Sequence, residues 1–267
     1  MNLADALLLE NTSRLALVGA GGKTSAMFAA AKAFIQRRQA PRPILLTTTT
    51  HLAIEQCSLA DHHFKIHSAE DVNARVSELN SGILLFTGTE EKDGRISGPD
   101  PQALEAIHTL ADGLDCPLLV EADGSRLHPL KAPADFEPVI PEWVNHVLVC
   151  AGLAGLGEPL DAEIVHRPEI YAQLSGLVPG APITPQAIVR VLRHSSGGLK
   201  AIPCHARRSV LLNQADTPEK QAAARRMADQ LLGDYERVII SSLNLAVGDP
   251  VIHAAITPAA GIVLAAG

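Results

Sequence analysis

Short apolar runs alternate along the chain with stretches whose apolar residues recur at helical spacing. The runs at 15–18, 43–47, 83–86, 117–121, 144–149, 209–212 and 237–241 read as strands. They are apolar nearly throughout, as strands buried on both faces are. The stretches 23–38, 69–79, 101–112, 184–193 and 218–232 read as helices. In the first of them Met27, Ala30, Ala31 and Phe34 form one stripe. Asp93 and Gly94 mark a tight hairpin or loop within 90–98. This alternation predicts an α/β fold, a mostly parallel sheet flanked by helices. Ligands of such sheets bind beyond the carboxyl ends of the strands. Residues 125–141 carry four prolines, Pro129, Pro133, Pro138 and Pro141. A loop that long and irregular is expected to be functional. Pro179, Pro182 and Pro185 punctuate a linker, and a small helical insertion is expected at about 155–200.

The chain has 267 residues, enough for one large α/β domain, expected over 1–260. Hydrophobic residues make up 47% and aromatics 3%, so the core is aliphatic and Ala-rich. A net charge of -7 argues against a nucleic-acid partner, whose phosphates demand a basic face. No apolar run approaches the roughly 20 residues of a membrane span. Residues 1–14 contain Asp5 and no basic leader region, so no signal peptide is expected. Cys57, Cys116, Cys150 and Cys204 form no CxxC pair. Reduced thiols and a cytoplasmic location are the expectation. His62, His63, His67, Cys204 and His205 lack metal-ligand spacing.

Chemistry-bearing residues fall just after predicted strands. Gly19, Ala20, Gly21, Gly22, Lys23, Thr24 and Ser25 lie between a strand and a helix. Glycines let a loop turn its N–H groups onto phosphate oxygens, and the helix adds the positive end of its dipole. Lys23 is expected to reach the outer phosphates and Thr24 to bind Mg²⁺. The longer phosphate-loop pattern has a glycine where this chain has Leu17, so the loop is compact. Thr47 to Thr50 and His51 follow the second strand, with Thr49 the candidate to position an attacking water. Glu121 and Asp123 end a strand and share a side of an extended chain. Glu121 is the candidate Mg²⁺ acid and Asp123 a catalytic carboxylate. Arg126 and Lys131 follow, cations suited to charge developing on a phosphate, with Arg126 the catalytic candidate. Asn213 and Asp216 have the spacing of a guanine-reading pair, with Gln214 where lysine is usual. Asp216 would accept from donors that adenine lacks. It can also be read as the N-cap of the helix at 218–232.

Asn213 and Asp216, with Glu121 to Gly124, resemble elements of metallochaperone GTPases. The fuller resemblance is to YqeC-type accessory proteins of selenium-dependent molybdenum hydroxylases. It rests on residues 18–25, 47–52, 121–126, 129–133, 137–141, 166–169 and 197–200. It implies a phosphate-loop nucleoside triphosphatase, using Mg²⁺ and GTP or ATP, that helps mature a molybdenum enzyme. That enzyme or a cofactor-maturation protein is the implied partner. Alternatives are an ATP-dependent kinase or amide-forming ligase acting on a small molecule, and a nucleotide-gated scaffold. Residues 261–267 resemble the opening strand and glycine of molybdenum cofactor cytidylyltransferases. They are expected to be the stub of such a domain, without its activity.

Overall fold

Ten strands form one sheet in the computed structural model, which describes residues 1–37, 42–74, 81–91, 94–243, 250–258 and 261–264. Along the chain come α1 (Leu3–Ala6), β1 (Arg14–Gly19), α2 (Lys23–Gln36), β2 (Pro43–Thr48), β3 (His51–Ala53), β4 (His62–Lys65) and α3 (Ala69–Ala74). Next are β5 (Gly82–Thr87), β6 (Arg95–Ser97), α4 (Pro101–Gly113), β7 (Leu118–Glu121), β8 (Leu130–Lys131), β9 (His146–Gly152) and β10 (Val165–His166). The last are α5 (Pro168–Ser175), α6 (Pro185–Arg193), β11 (Arg207–Asn213), α7 (Pro218–Leu231), β12 (Arg237–Ser242), β13 (Val251–Thr257) and β14 (Gly261–Leu264).

The sheet runs β14-β13-β12-β11-β9-β1-β7-β2-β5-β4. Pairing is parallel from β12 to β4 and antiparallel only at β13 and β14. The mostly parallel α/β architecture is therefore as expected. From β1 the chain fills one side of the sheet and returns to β7. It then crosses to β9 and builds outward the other way through β11 and β12. The reversal lies beside β1, where such sheets bind their ligands at the strands' carboxyl ends.

Alternation along the strands divides the core between two faces. Leu15, Leu17, Leu119 and Leu148 pack under α1 and α2. On the opposite face Leu45, Leu118 and Val120 meet α4. On that same face Val18, Val149, Val210 and Val238 meet α5, α6 and α7. The helices expected within 155–200 are present as α5 and α6. Tyr171, Ile188 and Leu192 pack into the same cluster as the strands, so the pair belongs to the main core. The backbone of 261–264, expected to open a further domain, pairs with β13 at the edge of this sheet. Residues 265–267, 75–79 and Asp93 lie outside the described residues. Among the described residues no helix is long and apolar enough to cross a membrane.

Candidate functional site

The turn after β1 cannot carry ordinary side chains at its key points. Gly19 and Gly21 have φ of +93° and +79°. A Cβ at Gly19 would strike the carbonyl of Cys150, and one at Gly21 the backbone of Gly152. Only glycine combines that φ with that approach. The turn is held from outside. Gly19 N–H donates to Asp123 Oδ2 (3.0 Å), Ala20 N–H to the Cys150 carbonyl (2.9 Å) and Gly21 N–H to the His128 carbonyl (3.1 Å). The expected cradle is thus narrower than Gly19 to Ser25. The amides of Gly19, Ala20 and Gly21 serve the protein. Those of Lys23, Thr24 and Ser25, in the first turn of α2, have no intrahelical acceptor and line up with the helix dipole.

Lys23, 3% exposed, turns back toward the strand ends. Its Nζ donates to the Gly19 carbonyl (2.9 Å) and lies 3.2 Å from Asp123 Oδ1 and 3.6 Å from Glu121 Oε1. Burial works to lower its pKa. The charges of Asp123 and Glu121 outweigh that, so Lys23 titrates above an ordinary lysine. Thr24 Oγ1 donates to Glu121 Oε2 (2.7 Å). Burial pushes Glu121 up, and Lys23 and Thr24 offset only part of the effect. Glu121, Thr24, Ser25, Gly22, Gln56 and Gln214 border a pocket with about 520 Å³ of empty space.

Behind Lys23 the ion pairs continue. Lys131 Nζ donates to Asp123 Oδ2 (2.9 Å), to Glu137 Oε2 (2.8 Å) and to the Gly124 carbonyl (2.6 Å). Arg167 grips Glu137 with two bonds (2.7 and 3.1 Å). Burial opposes ionisation of Glu137, but Arg167 and Lys131 win and hold its carboxyl below the usual range. Glu121, Lys23, Asp123, Lys131, Glu137 and Arg167 therefore alternate in sign. Three carboxylates balance three cations.

Lys23, Thr24, Glu121 and Asp123 thus lie together. Arg126 is exposed and joins no ion pair among the described residues; Lys131 is the buried cation. Thr49 Oγ1 donates to the Val139 carbonyl (3.0 Å), just past the end of β2. Asn213 is fully buried. Its Nδ2 donates to the Gly21 carbonyl (2.8 Å), and its Oδ1 accepts from Ser241 Oγ (3.0 Å) and Leu243 N–H (2.8 Å). It pins the glycine turn to the end of β12 and has no atom free for a base. Asp216 is exposed. It does not cap α7: Thr217 Oγ1 accepts from Lys220 N–H (3.3 Å). Gln56 and His128 border the pocket beside Glu121 without sitting in a motif, and Gln214, which stands at the lysine position of the guanine-reading spacing, borders it too. The Glu137–Arg167 pair spans 30 residues and carries no local signal.

The sequence model of a family described as "YqeC protein" matches residues 15–169, which contain the whole ion network. A relative from Escherichia coli (strain K12), described as "Uncharacterized protein YqeC", is 32% identical over 219 residues. That alignment covers 81% of this chain and 82% of the relative. No solved structure matches.

Proposed function

This chain belongs to the YqeC family, and from that premise we propose that it is a Mg²⁺-dependent nucleoside triphosphatase, acting on GTP ahead of ATP. Its proposed role is accessory factor in the maturation of a selenium-dependent molybdenum hydroxylase, in the cytoplasm. The fold type proposed is that of phosphate-loop NTPases, over residues 1–260. The observation that carries the reading is the Thr24–Glu121 bond at 2.7 Å beside buried Lys23, at the open first turn of α2.

The residues present fit the group. Mg²⁺ takes hard oxygens and is commonly held by one or two carboxylates together with phosphates and water. Thr24 Oγ1 and Glu121 are such donors, and the amides of Lys23 to Ser25 suit phosphate oxygens. A bound Mg²⁺ supplies positive charge at the outer phosphates. Lys23 adds a second charge from the helix side, and Asp123 fixes where that ammonium sits. Asn213 holds the turn in shape, while exposed Asp216 reads the base edge. Thr49, at the end of β2, keeps oxygen lone pairs to orient a water.

Labelled GTP and ATP, titrated with and without Mg²⁺, test this. Tighter GTP binding that needs Mg²⁺ is expected, with the preference lost in Asp216→Ala. ATP preference surviving that change sinks the GTP assignment. Lys23→Ala removes charge-assisted bonds worth roughly 1.5–3 kcal/mol each. Nucleotide affinity unchanged in that variant overturns the site.

A further inference from the structure

On the sheet face away from α2, a second pocket, partly open to solvent, reaches the back of the glycine turn. Val18, Val149, Ile188 and Leu192 give it aliphatic walls. It adjoins the phosphate-loop pocket through Lys23, which borders that pocket and bonds to Gly19 and Asp123 of this one.

Two polar side chains on this pocket each keep a donor that no protein group among the described residues takes up. Tyr171 is 1% exposed and its hydroxyl has no hydrogen-bond partner. Tyr235, equally buried, donates its hydroxyl to the Leu192 carbonyl at 2.7 Å. The core therefore satisfies one tyrosine and not the other. A buried polar group left unpaired is costly. Burial also raises the Tyr171 pKa, so near neutral pH the hydroxyl is a donor. Lys200 is the second. Its Nζ donates to the carbonyls of Ala134 (2.6 Å) and Asp135 (3.2 Å), which leaves one of its three N–H groups. Among the described residues no carboxylate pairs with it. Lys131, on the same pocket, is by contrast neutralised by Asp123 and Glu137.

We infer that this pocket binds a small, mainly apolar molecule carrying one carboxylate-like group, which accepts from Lys200 and Tyr171. The aliphatic walls take the body of the ligand. The uncompensated ammonium selects an anion over a neutral acceptor.

The test is a titration of the full chain, without nucleotide, with benzoate and hexanoate. Benzyl alcohol and hexanamide are the neutral controls. Methyl NMR signals of Ile188 and Leu192 report occupancy. Saturable shifts are expected for the carboxylates, with the neutral analogues roughly tenfold weaker or worse. Tyr171→Phe should weaken benzoate severalfold without lowering the melting temperature, because the hydroxyl has no protein partner to lose. Lys200→Met should abolish binding. If that variant fails to fold, Tyr171→Phe still decides the matter. Equal binding of the neutral analogues, unchanged affinity in Tyr171→Phe, or no saturable shift with either carboxylate overturns the inference. Benzoate binding in a protein that takes no nucleotide would leave the pocket standing and remove the triphosphatase.

Discussion

Thr47 and Thr48 are neighbours on β2 with opposite surroundings. Thr48 Oγ1 donates to the Glu121 carbonyl (2.9 Å) and accepts from Thr50 N–H (3.0 Å), bracing the strand ends at the site. Thr47, on the other face, is fully buried and its hydroxyl has no partner. Thr47→Val removes that unmet donor, and urea denaturation should show a gain of about 1 kcal/mol. Glu137 has the opposite prospect. Glu137→Gln leaves Lys131 and Arg167 facing a neutral amide. Stability should fall by about 2 kcal/mol, a figure below that for a wholly buried pair because the site is partly open. No change in the urea midpoint would mean the network does little for the fold. At this scale the motif residues were readable because Lys23 and Thr24 adjoin the glycines, and Glu121 ends an apolar run. Arg126 and Lys131 are equal as cations in the sequence. Only the path of the loop decides which is buried.

Asn213 shows what an element boundary can conceal. The spacing from Asn213 to Asp216 suggested two residues acting together on a base, but the end of β11 divides them. Asn213 still points into the protein, where it ties β1, β11 and β12 together; Asp216 has passed the strand end. Their variants should therefore separate. Asn213→Ala strands the Gly21 carbonyl and Leu243 N–H in the core, a loss of about 2–3 kcal/mol. Asp216→Ala, at an exposed position, should stay within about 0.5 kcal/mol. Thermal melts of the two proteins check this, and equal losses would contradict the assignment. Strands β1, β2, β5 and β7 were legible because each is a clean apolar run. Strand β4 was missed because His62, His63 and Lys65 look like loop residues, and only its place at the sheet edge tolerates them. Strand β9 runs on to Gly152, where glycine suggests a loop; its register with β11 carries it there.

Across the whole molecule, one buried base sets a pH limit. His146 opens β9, 2% exposed. Its ring bonds to Ser209 Oγ through Nε2 (2.9 Å), and Nδ1 has no partner. Burial, then the charges of Arg207 and Arg237, push its pKa down to about 3. Below about 6.5 the unfolded chain takes up a proton that the folded chain refuses. Stability is therefore full above that pH and declines toward pH 3. At pH 5 the loss from this residue is about 2 kcal/mol. Urea melts at pH 7.5 and 5 should show it, with a flatter response in His146→Gln. Equal slopes in the two proteins would assign the acid sensitivity elsewhere. The parallel architecture was visible in the order of strands and helices. The balanced charge network was not, because its members come from α2, β7, β8 and the loops around them. Only the crossing of the chain beside β1 brings them together.

The three acceptors around Lys23 make anion binding reciprocal with charge uptake. A phosphate that draws the ammonium away leaves buried Glu121 beside Asp123 without its cation, while Asp123 keeps Lys131. A buried carboxylate that loses its cation next to another carboxylate favours the protonated form. A divalent cation or a proton must come in with the anion, and each then tightens the other by the same factor. Calorimetry in buffers of different ionisation enthalpy should record a proton absorbed per anion bound without Mg²⁺, and fewer protons with it. Equal proton counts under both conditions would show that Lys23 keeps its carboxylates when the anion arrives.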